Sequence, residues 1–243
     1  MVRLVDRSLI GNYAELCGIH AGDGWLASKP NEVGYGTSST EKQYFNYVKK
    51  LYAKVFDFHI FRIVKRGDPY NVIELRIACK NTYNLLLKTG FPKGPKLDKL
   101  RVPKFVFSSK ICGKNFLRGL IDTDGTVYWR ESGNSYYLIL SWNCTNKIFA
   151  YEIKSLLKML GFSPTIYSFT NKKRDYKRRV IWRISLQRKQ DIHNYIVNIG
   201  FKNKKRIKQA LSKRKYLKMY GLAQIRTGDL YHVRVAYSTN KKS

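Results

Sequence analysis

One nine-residue pattern occurs twice in this chain, and each copy closes on an aspartate followed by glycine. The first is Leu16-Cys17-Gly18-Ile19-His20-Ala21-Gly22-Asp23-Gly24; the second is Leu117-Arg118-Gly119-Leu120-Ile121-Asp122-Thr123-Asp124-Gly125. Small residues recur every four positions: Ala14, Gly18 and Gly22 in one copy, Asn115, Gly119 and Thr123 in the other. On a helix that spacing forms a single stripe. Two such stripes let helices approach backbone to backbone. Packing across a pseudo-twofold axis then brings Asp23 and Asp124 together at one end. The chain is thereby constrained to two similar halves around a helix pair.

The elements around each motif repeat in order as well. In the first half, Trp25 to Ala27 and Val33 to Thr37 read as a hairpin, and Thr40 to Val55 as a helix capped by Ser39 or Thr40. Strands at Phe58 to Lys65 and Val72 to Cys79 and a helix at Asn81 to Lys88 follow. In the second half, helix Lys114 to Asp122 precedes strands at Val127 to Arg130 and Tyr136 to Trp142. A helix at Lys147 to Leu160, strands at Thr165 to Thr170 and Arg179 to Leu186, and a helix at Lys189 to Val197 complete it. The two halves end alike, in Thr89-Gly90-Phe91 and Ile199-Gly200-Phe201. The fold class is therefore α+β, two pseudo-symmetric αββαββα repeats with antiparallel sheets. The expected boundaries are residues 1–91 for the first repeat, 92–104 for a Pro/Lys-rich linker, 105–203 for the second repeat, and 204–243 for a basic helix and tail.

Charge narrows the class of partner. Lys and Arg number 47 against 16 Asp and Glu, a formal charge of +31 at pI ≈ 10.1. So large an excess repels itself and calls for a polyanion. No run of about 18 apolar residues spans a bilayer, and Met1 to Arg7 lack the apolar core of a secretory signal. Cys17, Cys79, Cys112 and Cys144 show no CxxC spacing, so zinc is not expected and free thiols in a reducing compartment are. The expected location is intracellular and nucleic-acid-associated.

An acid at a helix C-terminus meets the negative end of the dipole. Two side by side also repel each other, and a divalent cation relieves both costs; hard carboxylates suit Mg²⁺. A metal on paired carboxylates beside a phosphodiester activates water and stabilises the leaving oxygen. A lone Asp-Gly is merely a turn signal, but two copies in register with the same stripe and the same following hairpin are not. His20, His59, His193 and His232 show no HxxxH spacing, and His20 reads as a packing residue.

Leu16–Gly24 and Leu117–Gly125 resemble the two signature motifs of a single-chain, two-repeat LAGLIDADG homing endonuclease, the second copy closely, the first with His20 and Ala21 in place of the usual residues. The resemblance covers roughly residues 10 to 202. It implies a monomeric, intron-encoded nuclease that cuts both strands of a long pseudo-palindromic or asymmetric DNA site across the minor groove, leaving short 3′ overhangs. It also implies that Asp23 and Asp124 are catalytic and hold Mg²⁺ (or Mn²⁺, with Ca²⁺ as a non-catalytic substitute), assisted by the Gly22 and Thr123 carbonyls. It implies a DNA-binding saddle of two sheets; candidate contacts are Arg62, Lys65, Arg76, Arg130, Trp142, Lys172, Arg174, Lys177, Arg179 and Arg183. The positions where many relatives carry a basic residue or Gln, after the second strand of each repeat, here hold Ser38-Ser39-Thr40 and Asn143-Cys144-Thr145. No basic helper is assigned from them. The same scaffold also serves RNA maturases, which aid intron splicing, and non-cleaving DNA-binding regulators. Two acids kept in register favour cleavage. An intein would need splicing residues at the ends, which Met1-Val2 and Lys241-Lys242-Ser243 do not supply.

Overall fold

The computed structural model describes residues 7–28, 31–57, 60–170 and 180–222. The first repeat runs α1 (Arg7–Gly22), β1 (Gly24–Leu26), β2 (Glu32–Ser38), α2 (Lys42–Phe56), β3 (Arg62–Arg66), β4 (Val72–Ala78) and α3 (Lys80–Thr89). The second runs α4 (Lys110–Thr123), β5 (Gly125–Ser132), β6 (Ser135–Cys144), α5 (Lys147–Met159), β7 (Thr165–Thr170), β8 (Val180–Leu186) and α6 (Lys189–Asn198). Two antiparallel four-stranded sheets result, ordered β1-β2-β4-β3 and β5-β6-β8-β7. Both repeats thus have the αββαββα order expected from the sequence.

Alternation divides each sheet into a core face and an open face. Val33, Tyr35, Leu75 and Ile77 of the first sheet turn inward onto α2, whose Tyr44, Phe45, Val48, Leu51, Tyr52 and Val55 are buried. Leu138, Leu140, Trp142, Ile184 and Leu186 do the same in the second, against Phe149, Ile153 and Leu157 of α5.

At the centre α1 packs on α4 along the small-residue stripes. A Cβ built on Gly18 would fall 2.0 Å from the carbonyl oxygen of Phe116; on Gly119, 2.2 Å from that of Glu15. Glu15 and Phe116 are equivalent positions in the two motifs, so the contact is reciprocal, as a pseudo-twofold axis requires. Beside it a buried ion pair joins the helices: Arg118 Nη2 donates to Glu15, and Tyr47 Oη donates to the other Glu15 oxygen at 2.6 Å.

Four expectations need correction. The turn before α2 is a 3₁₀ segment, Ser39–Glu41; Ser38 caps that segment, and the N-cap of α2 is Glu41, with no side-chain capping bond. The strand expected from Phe58 starts at Arg62, residues 58 and 59 lying outside the described set. The segment 92–104 is pinned rather than free: Lys93 bridges Leu26, and Gly94 N donates to Leu26 O at 2.8 Å. The basic helix expected at the start of 204–243 is α7 (Lys204–Leu211) followed by a 3₁₀ segment, Arg214–Tyr220. Trp129 Nε1 donates to the Ala210 carbonyl at 3.1 Å, tying the end of α7 to β5. This segment packs on the second sheet, where Tyr220 Oη accepts from Leu138 N at 2.7 Å. Of the helix and tail expected within 204–243, the residues beyond 222 lie outside the described set.

Gly18→Ala is expected to destabilise the fold by about 2 kcal/mol or more, because the new methyl meets backbone that cannot step aside. Gly36→Ala, whose Cβ would find its nearest neighbour at 3.5 Å, should shift stability by less than about 1 kcal/mol. Urea unfolding of the two variants measures the contrast.

Candidate active site

The abutting helices carry their aspartates to one place. Asp23 N donates to Ile19 O, and Asp124 N to Leu120 O, both at 3.0 Å, so each acid continues the last helical turn. A Cβ on Gly22 would lie 2.1 Å from Thr123 Oγ1 and 3.4 Å from the carboxyl carbon of Asp124. Burial, reinforced by the charge of Asp124, pushes Asp23 up to about 7, while Lys96 and Arg206 oppose the shift. Asp124 is raised by the protein packed around it, against the pull of Lys96 and Arg206. Its side chain still has an exposed edge, where water screens that push.

Two cations close the site, and motif reading did not find either. Lys96 Nζ donates to Ala21 O at 2.8 Å, to His20 O at 3.2 Å and to Gly22 O, covering the C-terminus of α1. Arg206 covers the C-terminus of α4, Nε donating to Ile121 O at 3.1 Å and Nη2 to Thr123 O at 2.5 Å. A cation is the charge that end of a helix favours. The two are equivalent, each six residues beyond the glycine of its repeat's closing Gly-Phe pair, Gly90 and Gly200. That spacing was the available signal, and it lies far from the strand ends where a basic helper was sought.

Other polar groups here hold structure. Asp122 is fully buried and accepts from Lys202 N at 2.7 Å; burial raises it to about 7. It pins α4 to the segment after α6. Asn203 ties the Asp122 carbonyl, at 2.9 Å, to Glu41 Oε2, at 3.0 Å. His20 is buried with Nδ1 3.3 Å from Tyr52 Oη, its ring edge-on to Phe91, and is held neutral, pushed down to about 3 by burial and then by Lys96. The four cysteines are free thiols.

A cleft of about 460 Å³ leads from Asp23 to the open face of the first sheet, lined by Asp23, Trp25, Ser38, Glu74, Thr123 and Arg206 among others. The registers place the remaining candidates. Arg62 pairs with Arg76, and both lie on the open face, where Arg76 also binds Glu74 at 2.8 Å and Glu32 at 3.2 Å. Lys65 pairs with the inward-facing Ile73 and so takes the opposite side from Arg62 and Arg76; the alternation along β3 requires it. Trp142 is likewise corrected: only 3% exposed, it turns to the core against Tyr195. Arg130 and Arg183 lie on the open face of the second sheet, Arg183 bonded to Asn143 and Tyr167 and stacked on Phe169. Lys172, Arg174, Lys177 and Arg179 lie outside the described residues.

The donor set fits a hard divalent ion. Among the described residues no cluster of three or more His, Cys, Asp and Glu exists, so the protein offers two carboxylates plus the Gly22 and Thr123 carbonyls. Mg²⁺ takes such small sets, completing its shell from water and substrate phosphate. Each carbonyl already accepts from a cation, but has a second lone pair.

Comparison with known proteins places this geometry. Residues 113–200 match the family model described as a LAGLIDADG-like domain. The homing endonuclease I-DmoI, as mesophilic variants, superimposes with a TM-score of 0.55 at 18% identity, over 79% of this chain and 97% of that one. I-DmoI in complex with DNA and Ca gives 0.53 at 17% identity, over 78% and 91%. Among curated proteins, a tRNA-splicing ligase RtcB of Methanopyrus kandleri is 24% identical over 79% of this chain, and a replication factor C small subunit of Methanocaldococcus jannaschii 25% identical over 82%. The chain spans only 21% and 10% of those two proteins. Its second repeat matches the LAGLIDADG-like domain model, and the whole chain has the two-repeat fold of the I-DmoI structures.

The raised Asp23 fixes a pH dependence. Its folded value of about 7 lies above the ordinary 3.8, so its contribution to stability is full below pH 3.8 and is lost as pH rises to about 7. In metal-free buffer Asp23→Asn should raise the melting temperature at pH 8, and raise it less at pH 5; scanning calorimetry at both values checks this.

Proposed function

We propose that the chain is a divalent-metal-dependent, site-specific DNA endonuclease in which Asp23 and Asp124 hold the metal, one acid from each repeat. The carrying observation is the convergence of two helix-terminal carboxylates with two cations, Lys96 and Arg206, at the edge of an open sheet face. A purely structural site would not set two acids against each other's charge and the helix dipoles. The formal charge of +31 supports a polyanionic substrate. Crystals of I-DmoI with DNA and Ca support both partner and metal. A tRNA-splicing ligase and a replication factor C small subunit each contain a segment that matches this chain and is a small part of that protein. That supports a module that moves between hosts, as intron homing requires.

When bound, the metal supplies charge neutralisation at the phosphodiester and a more acidic water. The protein does the rest. Asp23 and Asp124 fix the site on the shared axis of the repeats. Lys96, with its three N–H groups on α1 carbonyls, stands beside them as a fixed positive charge, and Arg206, with N–H groups in reserve, as a donor to a phosphoryl oxygen whose charge grows during attack; removing one such preorganised group costs about 10²–10³ in rate. The open faces hold the duplex, Arg62 and Arg76 on one side, Arg130 and Arg183 on the other. Strand breaks fall on both strands with short 3′ overhangs, and the enzyme works as a monomer.

A bound site selected from a randomised duplex pool in Ca²⁺ supplies the substrate. Asp23→Asn and Asp124→Asn should each abolish double-strand cleavage in Mg²⁺ with binding kept, and Lys96→Ala should slow cleavage about 10²–10³-fold. EDTA should stop the wild type. Full cleavage by both aspartate variants removes the assignment.

A further inference from the structure

A second basic site lies beside the acids, outside the span matched by the family model, which ends at residue 200. A groove of about 710 Å³ runs between the start of α2 and α7; its basic lining is Lys42, Lys204, Lys205 and Lys208. Glu41 and Lys205 line this groove and also the cleft that reaches Asp23 and Arg206, so the two are continuous.

The electrostatics of the groove are set against the helices that form it. A helix N-terminus is the positive end of the dipole and favours acids in its first turn. Glu41 is the N-cap of α2, but the first turns themselves carry no acid; α2 begins with Lys42, and α7 with Lys204 and Lys205. The N-cap of α2 makes no side-chain capping bond either. Lys42, Lys204, Lys205 and Lys208 are all exposed residues, so burial does not hold them there. Glu41, the acid of the groove, is taken up by its neighbours: Thr37 Oγ1 donates at 3.1 Å, Asn203 Nδ2 at 3.0 Å and Lys205 Nζ at 2.9 Å. Lys205 is matched by Glu41; Lys42, at the start of α2, and Lys208 add exposed positive charge along the same groove, which favours an anion there. The groove is open to solvent and edged by lysines, which suits phosphates along a strand.

We infer that the groove between α2 and α7 is a phosphate track that holds the backbone of one duplex DNA strand as it leaves the cleft at Asp23. The inference rests on the endonuclease reading and adds to it a lopsided grip. The track belongs to α7, which follows the second repeat, and the corresponding stretch after the first repeat, 92–104, is pinned against β1 instead. One flank of the duplex therefore meets a groove built by a helix, α7, that the other flank lacks.

The test uses the full chain and the selected duplex. Lys42→Glu/Lys208→Glu is compared with Lys50→Glu/Lys158→Glu, a pair of equal charge change on exposed positions of α2 and α5. Affinity is measured against KCl concentration. The groove pair should lower the slope of log K against log salt by about 2, one unit for each phosphate the protein no longer neutralises, while the control pair leaves it within about half a unit. Trimming duplex from one end should abolish the difference between groove variant and wild type; trimming the other end should not. Equal slopes for the two pairs, or the same loss whichever end is trimmed, overturn the track. A groove effect on single-stranded RNA in place of duplex also overturns it. Circular dichroism melting confirms that each variant is folded, and Lys42→Ala/Lys208→Ala provides a milder pair with the same expected direction. Failure of the wild type to bind any duplex would instead overturn the endonuclease reading.

Discussion

Backbone contact between α1 and α4 sets the position of everything functional here. With Gly18 against the Phe116 carbonyl and Gly119 against that of Glu15, the helices have no side-chain layer to adjust, and their ends meet at a fixed offset. The aspartates ride on those ends. A side chain at either glycine would move two carboxylates at once. The neighbouring ion pair adds a choice of partner. Glu15 is buried, and its cation, Arg118, stands at the position equivalent to Cys17 in the first motif. If α1 packed on a second copy of α1, Cys17 would replace Arg118 and leave a buried glutamate without a counter-charge, a costly arrangement. The pair therefore favours the heterologous helix pairing that one chain with two repeats provides.

The site is a balance of charges under strain. Helix dipoles, burial and mutual repulsion all act against ionising Asp23 and Asp124; Lys96 and Arg206 act for it. The same two cations also satisfy helix carbonyls that would otherwise lack donors. They are thus fixed by the backbone rather than by the acids, and remain in place whichever protonation state the acids adopt. This is a site ready for a further positive charge, and cations positioned in advance avoid reorganisation when charge develops on a substrate.

Much of this is legible in the sequence, for physical reasons that differ by element. The repeat, the helix pairing and the acids follow from the spacing of Gly18, Gly22, Gly119, Asp23 and Asp124, because small residues at helical intervals have few other uses. The strands follow from alternation, but their faces do not: Lys65 and Trp142 each sit one step out of phase with the other candidate contacts, and a one-residue shift reverses a side chain. Lys96 and Arg206 escape motif reading because their role is set by tertiary return. Each comes back to the helix terminus of its own repeat from far downstream, Lys96 to Gly22 across 74 positions and Arg206 to Thr123 across 83. Both come out of segments that composition alone marks as linker or basic tail.

Symmetry holds at the helix pair and fails at the sheets. On the first open face Arg76 is locked between Glu74 and Glu32, and Arg66 shares Glu74 at 3.3 Å, so acids hold the arginines in fixed poses. On the second, Arg183 stacks on Phe169 and bonds neutral partners, Asn143 and Tyr167. An arginine held by carboxylates presents less net charge and a more defined fork of donors, and the carboxylates can themselves accept from a base edge. An arginine on aromatic rings keeps its full charge. A duplex laid across both faces would meet two different chemistries on either side of one nearly symmetric pair of acids. The helix pair is bound to its symmetry by contact between backbones; the sheets face outward, carry no such constraint, and are free to differ as two unlike halves of one site would require.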